Sequence, residues 1–170
     1  MACQRGDCEG LRDLLEKGAD VNEASEEDGQ TALMEVAIVG NASVALVLIT
    51  FADDIVSSIF HYAAPFINLD ELKMGARVDD LDFSGRSALW LAARNGRTRV
   101  AELLMDHGAC VDSRSESGRT PLFIACRLGH VDTAASLLRR GANPNLRTKF
   151  GVSPLDAAVH VDRSIQLATL

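Results

Sequence analysis

Apolar residues recur along the chain in short runs with helical spacing, and polar, glycine-bearing stretches separate the runs. In GRTRVAELLMDHG, Val100, Leu103 and Leu104 fall on one helical face. Ala134, Leu137 and Leu138 repeat the pattern in GHVDTAASLLRRG. A shorter apolar run precedes each of these, LWLAA and PLFIAC. Thr120 and Ser153 stand directly before Pro121 and Pro154, the order of a side-chain N-cap ahead of a proline at the first helical position. Gly96 and Gly129 end the first helix of each pair in a tight turn, and Gly108 and Gly141 stop the second. Ala92-Ala93 and Ala125-Cys126 are small enough for a neighbouring helix to approach closely. VDSRSESGR suits an extended turn projecting from the helices.

The pattern has a fixed period. Gly85, Gly118 and Gly151 are spaced by 33 residues, and so are Gly75, Gly108 and Gly141. Two full units run from Gly85 to Ser117 and from Gly118 to Phe150. No unit can bury its apolar stripe alone, so the units must stack. The segments GRTPLFIACRLGH, GQTALMEVA, LLEKGADVN and LLRRGANPN resemble the ankyrin repeat family, over nearly the whole chain. The resemblance implies an all-α solenoid, with antiparallel helix pairs side by side and β-turn fingers projecting at about a right angle. It also implies a concave face of fingers and inner helices on which partners bind. The expected architecture is one domain over 1–170, about five units at approximately 1–28, 29–56, 57–84, 85–117, 118–150 and 151–170. The first and last are incomplete.

The third unit departs most from the pattern. Aligning SIFHYAA (58–64) with SALWLAA (87–93) predicts a shortened unit with a curtailed finger around Asp53–Ser57, and Pro65 stands where an inner helix would continue. A bent stack is the expectation there. Val36 to Ala52 is a 17-residue stretch without a charge, but Gly40-Asn41 interrupts it, which predicts two short helices rather than a membrane span. Ala32 to Leu69 carries only Glu35, Asp53 and Asp54 as charges, and Ile38, Val39 and Leu46 occupy positions that are more polar elsewhere. An apolar patch of that kind either marks an interaction site or is covered by the shortened third unit folding over it.

Composition adds a polarity to this picture. The formal net charge of −7 divides unevenly: residues 1–82 hold 5 basic and 17 acidic side chains, residues 83–170 hold 12 basic and 7 acidic. Glu23, Glu26, Glu27 and Asp28 lie in the first finger, and Asp79, Asp80 and Asp82 in a later one. The following fingers and helix ends carry Arg86, Arg94, Arg114, Arg119, Arg127, Arg147 and Lys149. Such an ordering orients and steers a partner with a basic and an acidic end. Nucleic acid or anionic lipid on the Arg-rich half is disfavoured, because the whole chain is acidic and offers no base-reading element.

Catalytic groups do not converge. Asp156 and His160 are one helical turn apart, with no nucleophile in a recognisable motif, and read as a helix ion pair. The four cysteines and four histidines show no zinc spacing, and read as reduced thiols and scattered side chains. MACQRGDCEG has no apolar signal core. An intracellular location, cytoplasmic or nuclear, follows as the expectation, or an organelle if a transit peptide has been removed. The chain therefore reads as a non-enzymatic protein-interaction module with no cofactor and no metal. The residues expected to contact a partner are Phe83, Arg86, Trp90, Arg94, Arg114, Arg119, Phe123, Arg127, Lys149 and Phe150. Trp, Arg and exposed aromatic rings most often dominate interface energy. The alternative is a subunit of a larger assembly, docked through Ala32–Leu69 and the open ends of the stack.

Overall fold

The computed structural model describes residues 8–50 and 75–159. Its helices are α1 (Cys8–Glu16), α2 (Ala32–Val39), α3 (42–50), α4 (Ala88–Arg94), α5 (Thr98–Asp106), α6 (Pro121–Leu128), α7 (Val131–Arg139) and α8 (154–159). Pairing among the described residues is limited to two isolated antiparallel bridges, Ala24 with Thr31 and Leu81 with Ser87. The fold is an all-α repeat solenoid. Inner helices α2, α4 and α6 pack side by side, and α5 and α7 form an outer layer behind α4 and α6.

The local chemistry explains where each inner helix starts and stops. The Ser87 hydroxyl accepts from the backbone N–H of Trp90 (3.2 Å), and the Thr120 hydroxyl from that of Phe123 (3.1 Å). Ser153 does the same for Asp156, whose carboxylate accepts back from the Ser153 N–H, a reciprocal capping box. Gly129 closes α6 at φ 74°, a left-handed conformation that a side chain rarely adopts. The small residues Ala92, Ala93 and Ala125 are fully buried between neighbouring helices, beside Leu89, Leu91 and Leu122. Val100, Leu104 and Leu137 are fully buried on the outer helices, as their spacing predicts, but Leu138 is 47% exposed. It lies on the outward side of α7, where no helix covers it among the described residues.

The fingers are held to one another by repeated rungs. The Asn22 side chain accepts from the Arg77 N–H (2.7 Å), Asp79 from that of Cys110 (2.8 Å), and Asp112 from that of Asn143 (3.1 Å). Nearer the tips, the N–H groups of Phe83, Glu116 and Lys149 donate to the carbonyls of Asp28, Ser84 and Ser117. Between the helix pairs, the Arg97 Nε donates to the Ile38 carbonyl (3.0 Å), and His130 Nε2 lies 3.0 Å from the Arg94 carbonyl.

These rungs also join two fingers that lie far apart in the sequence. The finger 18–31 bonds directly to the finger 75–87, and α2 packs directly on α4 just as α4 packs on α6. Gly29 and Gly85 are 56 residues apart, against 33 for Gly85 and Gly118, yet they occupy adjacent layers. The segment GARVDD of the expected 57–84 unit is thus the finger stacked on the unit that begins at Gly29. The backbone N–H of Ala76 bonds the carbonyl of Leu48, tying that finger to α3 (2.9 Å). The rung acceptors Asn22, Asp79 and Asp112 each stand four residues past a repeated glycine, Gly18, Gly75 or Gly108. Asp53–Ser57, the 58–64 alignment, Pro65 and His160 lie outside the described residues.

Gly40 separates α2 from α3, as the interrupted apolar run predicts, and no described helix is long and apolar enough to cross a membrane. Val39 and Leu46 are about two-fifths exposed, whereas Ile38 is half-buried. The rest of the apolar stretch, from residue 51, lies outside the described residues.

Asp82 organises the finger before α4. Its carboxylate is buried, accepts from the N–H groups of Ser84 (2.9 Å) and Arg86 (2.8 Å), and takes the Arg86 Nε at 2.6 Å. Removing one member leaves the other buried without its charge partner, which costs about 3 kcal/mol. Asp82→Ala is expected to lose about that much stability in urea unfolding; an unchanged midpoint would contradict the role.

Candidate interaction groove

The fingers and inner helices enclose a groove of about 900 Å³ between the tips at 84–86, 115–119 and 149–150 and the helices α4 and α6. Seven of the ten residues expected from the sequence line it: Arg86, Trp90, Arg94, Arg119, Arg127, Lys149 and Phe150. The helical start at Ser87 brings Trp90 to the groove one turn later, and Arg94 follows it at the end of α4. Arg127 occupies the matching last turn of α6, where the helix dipole favours a cation.

Trp90 is the centre of this arrangement. It is only 5% exposed, with the Arg86 guanidinium 5.7 Å and the Arg94 guanidinium 6.0 Å from its ring centroid. Its indole Nε1 has no hydrogen-bond partner among the described residues. Arg86 is already neutralised by Asp82. Arg94, Arg119, Arg127 and Lys149 form no ion pair among the described residues, and Glu116 is the one acid lining the groove.

Three expected contact residues do not line this groove. Phe123 is as buried as Trp90, with Arg119 over its ring at 6.0 Å. Arg114 donates to the Arg147 carbonyl of the next finger (2.5 Å) and is a finger-to-finger clasp. Phe83 lies against Gly29 so closely that a Cβ there would stand 2.6 Å from its ring. Phe83 thereby seals the finger at 18–31 to the one at 75–87.

Several acids counted as surface charge are also structural. Asp20, Asp28, Asp79 and Asp82 all accept backbone N–H groups in or between fingers. Glu23, Glu26 and Glu27 remain exposed on the first finger. Sequence reasoning missed the finger residues Ser84, Ser115 and Ser117 as groove lining. Their position just before each repeated glycine was the available signal, but serines in turns are also common for purely local reasons.

The chemistry elsewhere is sparse. Asp156 is engaged in the Ser153 capping box and by Arg147 at 3.4 Å, and His160 lies outside the described residues. Burial pushes the Cys126 thiol up, so it stays protonated and weakly nucleophilic. No group of His, Cys, Asp and Glu among the described residues is placed to hold a metal ion.

A family model for ankyrin repeats (3 copies) matches residues 60–148, 89 of the 170 residues, and another for ankyrin repeats (many copies) matches residues 1–49. This chain belongs to the ankyrin repeat family. Ankyrin repeats are generally protein–protein interaction modules, which agrees with a groove that presents cations and an aromatic ring. Among curated proteins none matches the chain.

The two finger-tip phenylalanines, Phe83 at 65% and Phe150 at 78% exposure, differ in that Phe83 packs against Gly29. Phe150→Ala is expected to change stability by no more than about 0.5 kcal/mol. Phe83→Ala is expected to cost about 1 kcal/mol, because it removes the ring that packs over Gly29. Thermal unfolding of both variants checks the pair, and equal effects would contradict it.

Proposed function

We propose that this ankyrin repeat protein is a non-enzymatic interaction module that holds an extended partner segment in the groove of fingers and inner helices. The observation that carries the reading is the convergence of Trp90, Arg94, Arg119, Arg127, Lys149 and Phe150 on one surface. Four of these six carry charges not paired within the described residues, and the last is an exposed ring. A partner reads both ends of the stack in one direction. Its acidic part lies against the groove, and its basic part faces Glu23, Glu26 and Glu27 on the first finger.

A second reading, a subunit docked into a larger assembly, draws on different surface. Val131, Leu138, Leu155 and Val159 are exposed to 75%, 47%, 70% and 53%, and Val39 and Leu46 add to the apolar outer surface. Docking there leaves the groove free.

Amine-reactive cross-linking in a native extract, followed by mass spectrometry, distinguishes the two. Partner cross-links are expected at Lys149 and not at Lys17, and the combined variant Arg119→Glu, Arg127→Glu is expected to recover at most about a tenth of the partner. Unchanged recovery from the charge-reversed protein contradicts the groove and favours the outer surface.

A further inference from the structure

We propose that the Trp90 end of the groove is an anchor for a carboxylate side chain, so that the segment bound there is an Asp- or Glu-bearing peptide. The inference rests on the interaction reading above and deepens it.

The Trp90 ring lines the groove while its indole N–H is sealed from solvent, so the polar groups a visitor meets at this end are those around the ring. Arg86 covers one part of the Trp90 ring with its charge spent on Asp82, whereas Arg94 approaches the same ring with no anionic partner among the described residues. Arg127 and Arg119 line the same groove from the next unit, also without ion pairs among the described residues. A carboxylate seated beside this ring pairs with the Arg94 guanidinium, whose planar fork matches its two oxygens.

The same surface favours a peptide over a small free anion. Ile124, Leu128 and Phe150 line the groove together with the cations, so apolar side chains have a place beside the acidic one. Glu116 on the finger opposes a second acid at its own position. An extended segment with acidic and apolar residues in alternation fits both demands, because alternate side chains of an extended chain point to opposite sides.

The intact chain carries one tryptophan, so its emission reports directly on this site. A peptide of alternating Glu and Val is titrated against the protein, with the Gln and Val counterpart as control. A saturable change in Trp90 emission is expected with the Glu peptide, weakened by added salt, and none with the Gln peptide. Arg94→Gln and Arg127→Gln are each expected to weaken binding by about fivefold. Trp90→Phe, read by anisotropy of the labelled peptide, keeps a ring beside Arg94 and is expected to change binding by no more than about twofold. If Trp90→Phe does not fold by circular dichroism, the two arginine variants decide the matter. Equal binding of the Gln peptide, no emission change, or equal competition by inorganic phosphate overturns the carboxylate anchor. Should that happen while cross-links at Lys149 persist, the interaction reading stands and only the anchor falls.

Discussion

Each finger of this protein is fixed by a side chain of the finger before it, and the rest of the structure depends on that bond. Asn22, Asp79 and Asp112 each accept the N–H of a residue two positions past a repeated glycine, Gly75, Gly108 or Gly141. An extended turn has few apolar neighbours of its own, so without these acceptors its backbone groups would face only water. With them, the fingers keep one orientation relative to the inner helices. The rungs at Phe83, Glu116 and Lys149 then repeat the same alignment at the tips. The stack is therefore not merely a set of helix pairs sharing an apolar interface. Its fingers run as a continuous hydrogen-bonded row, and the groove exists because that row stands at a fixed distance from α4 and α6.

Two kinds of charge coexist on this row, and they do different things. Asp79, Asp82 and Asp112 are consumed in holding fingers in place, and Arg114 and Arg86 are consumed on the basic side. Arg94, Arg119, Arg127 and Lys149 have no anionic partner among the described residues and face one groove. The difference between the two halves of the chain thus becomes sharper once bonded charges are set aside. The acidic half uses several of its carboxylates internally, whereas the basic half presents cations to a visitor. Solvent-exposed charges contribute little to stability, so this unpaired set is available for recognition.

Much of the fold was legible in the sequence because its signals are local. The caps at Thr120 and Ser153, the glycine stops and the helical apolar faces each depend on a few neighbouring residues. Trp90, Arg94 and Arg127 were legible as residues of one face, the groove lining, because the 33-residue period repeats their surroundings from unit to unit. What escaped depends on packing between layers. Phe123 looked like Trp90 by position and is equally buried, but only Trp90 lines the groove. Phe83 looked free at a finger tip, but Gly29, far back in the chain, gives it a surface to lie on. The direct contact between the fingers 18–31 and 75–87 escaped for a related reason: the 33-residue period does not bring them together, and the hydrogen bonds between them do.

The central claim is that the fingers form one continuous row in which 18–31 and 75–87 are direct neighbours. Amide hydrogen exchange resolved by residue tests it most directly, comparing the N–H groups of Arg77, Cys110 and Asn143, which occupy equivalent rungs. The expected result is slowed exchange at all three, with Asn22→Ala releasing Arg77 while Cys110 and Asn143 stay protected. Rapid exchange at Arg77 in the unaltered protein, beside protected Cys110 and Asn143, would contradict the account.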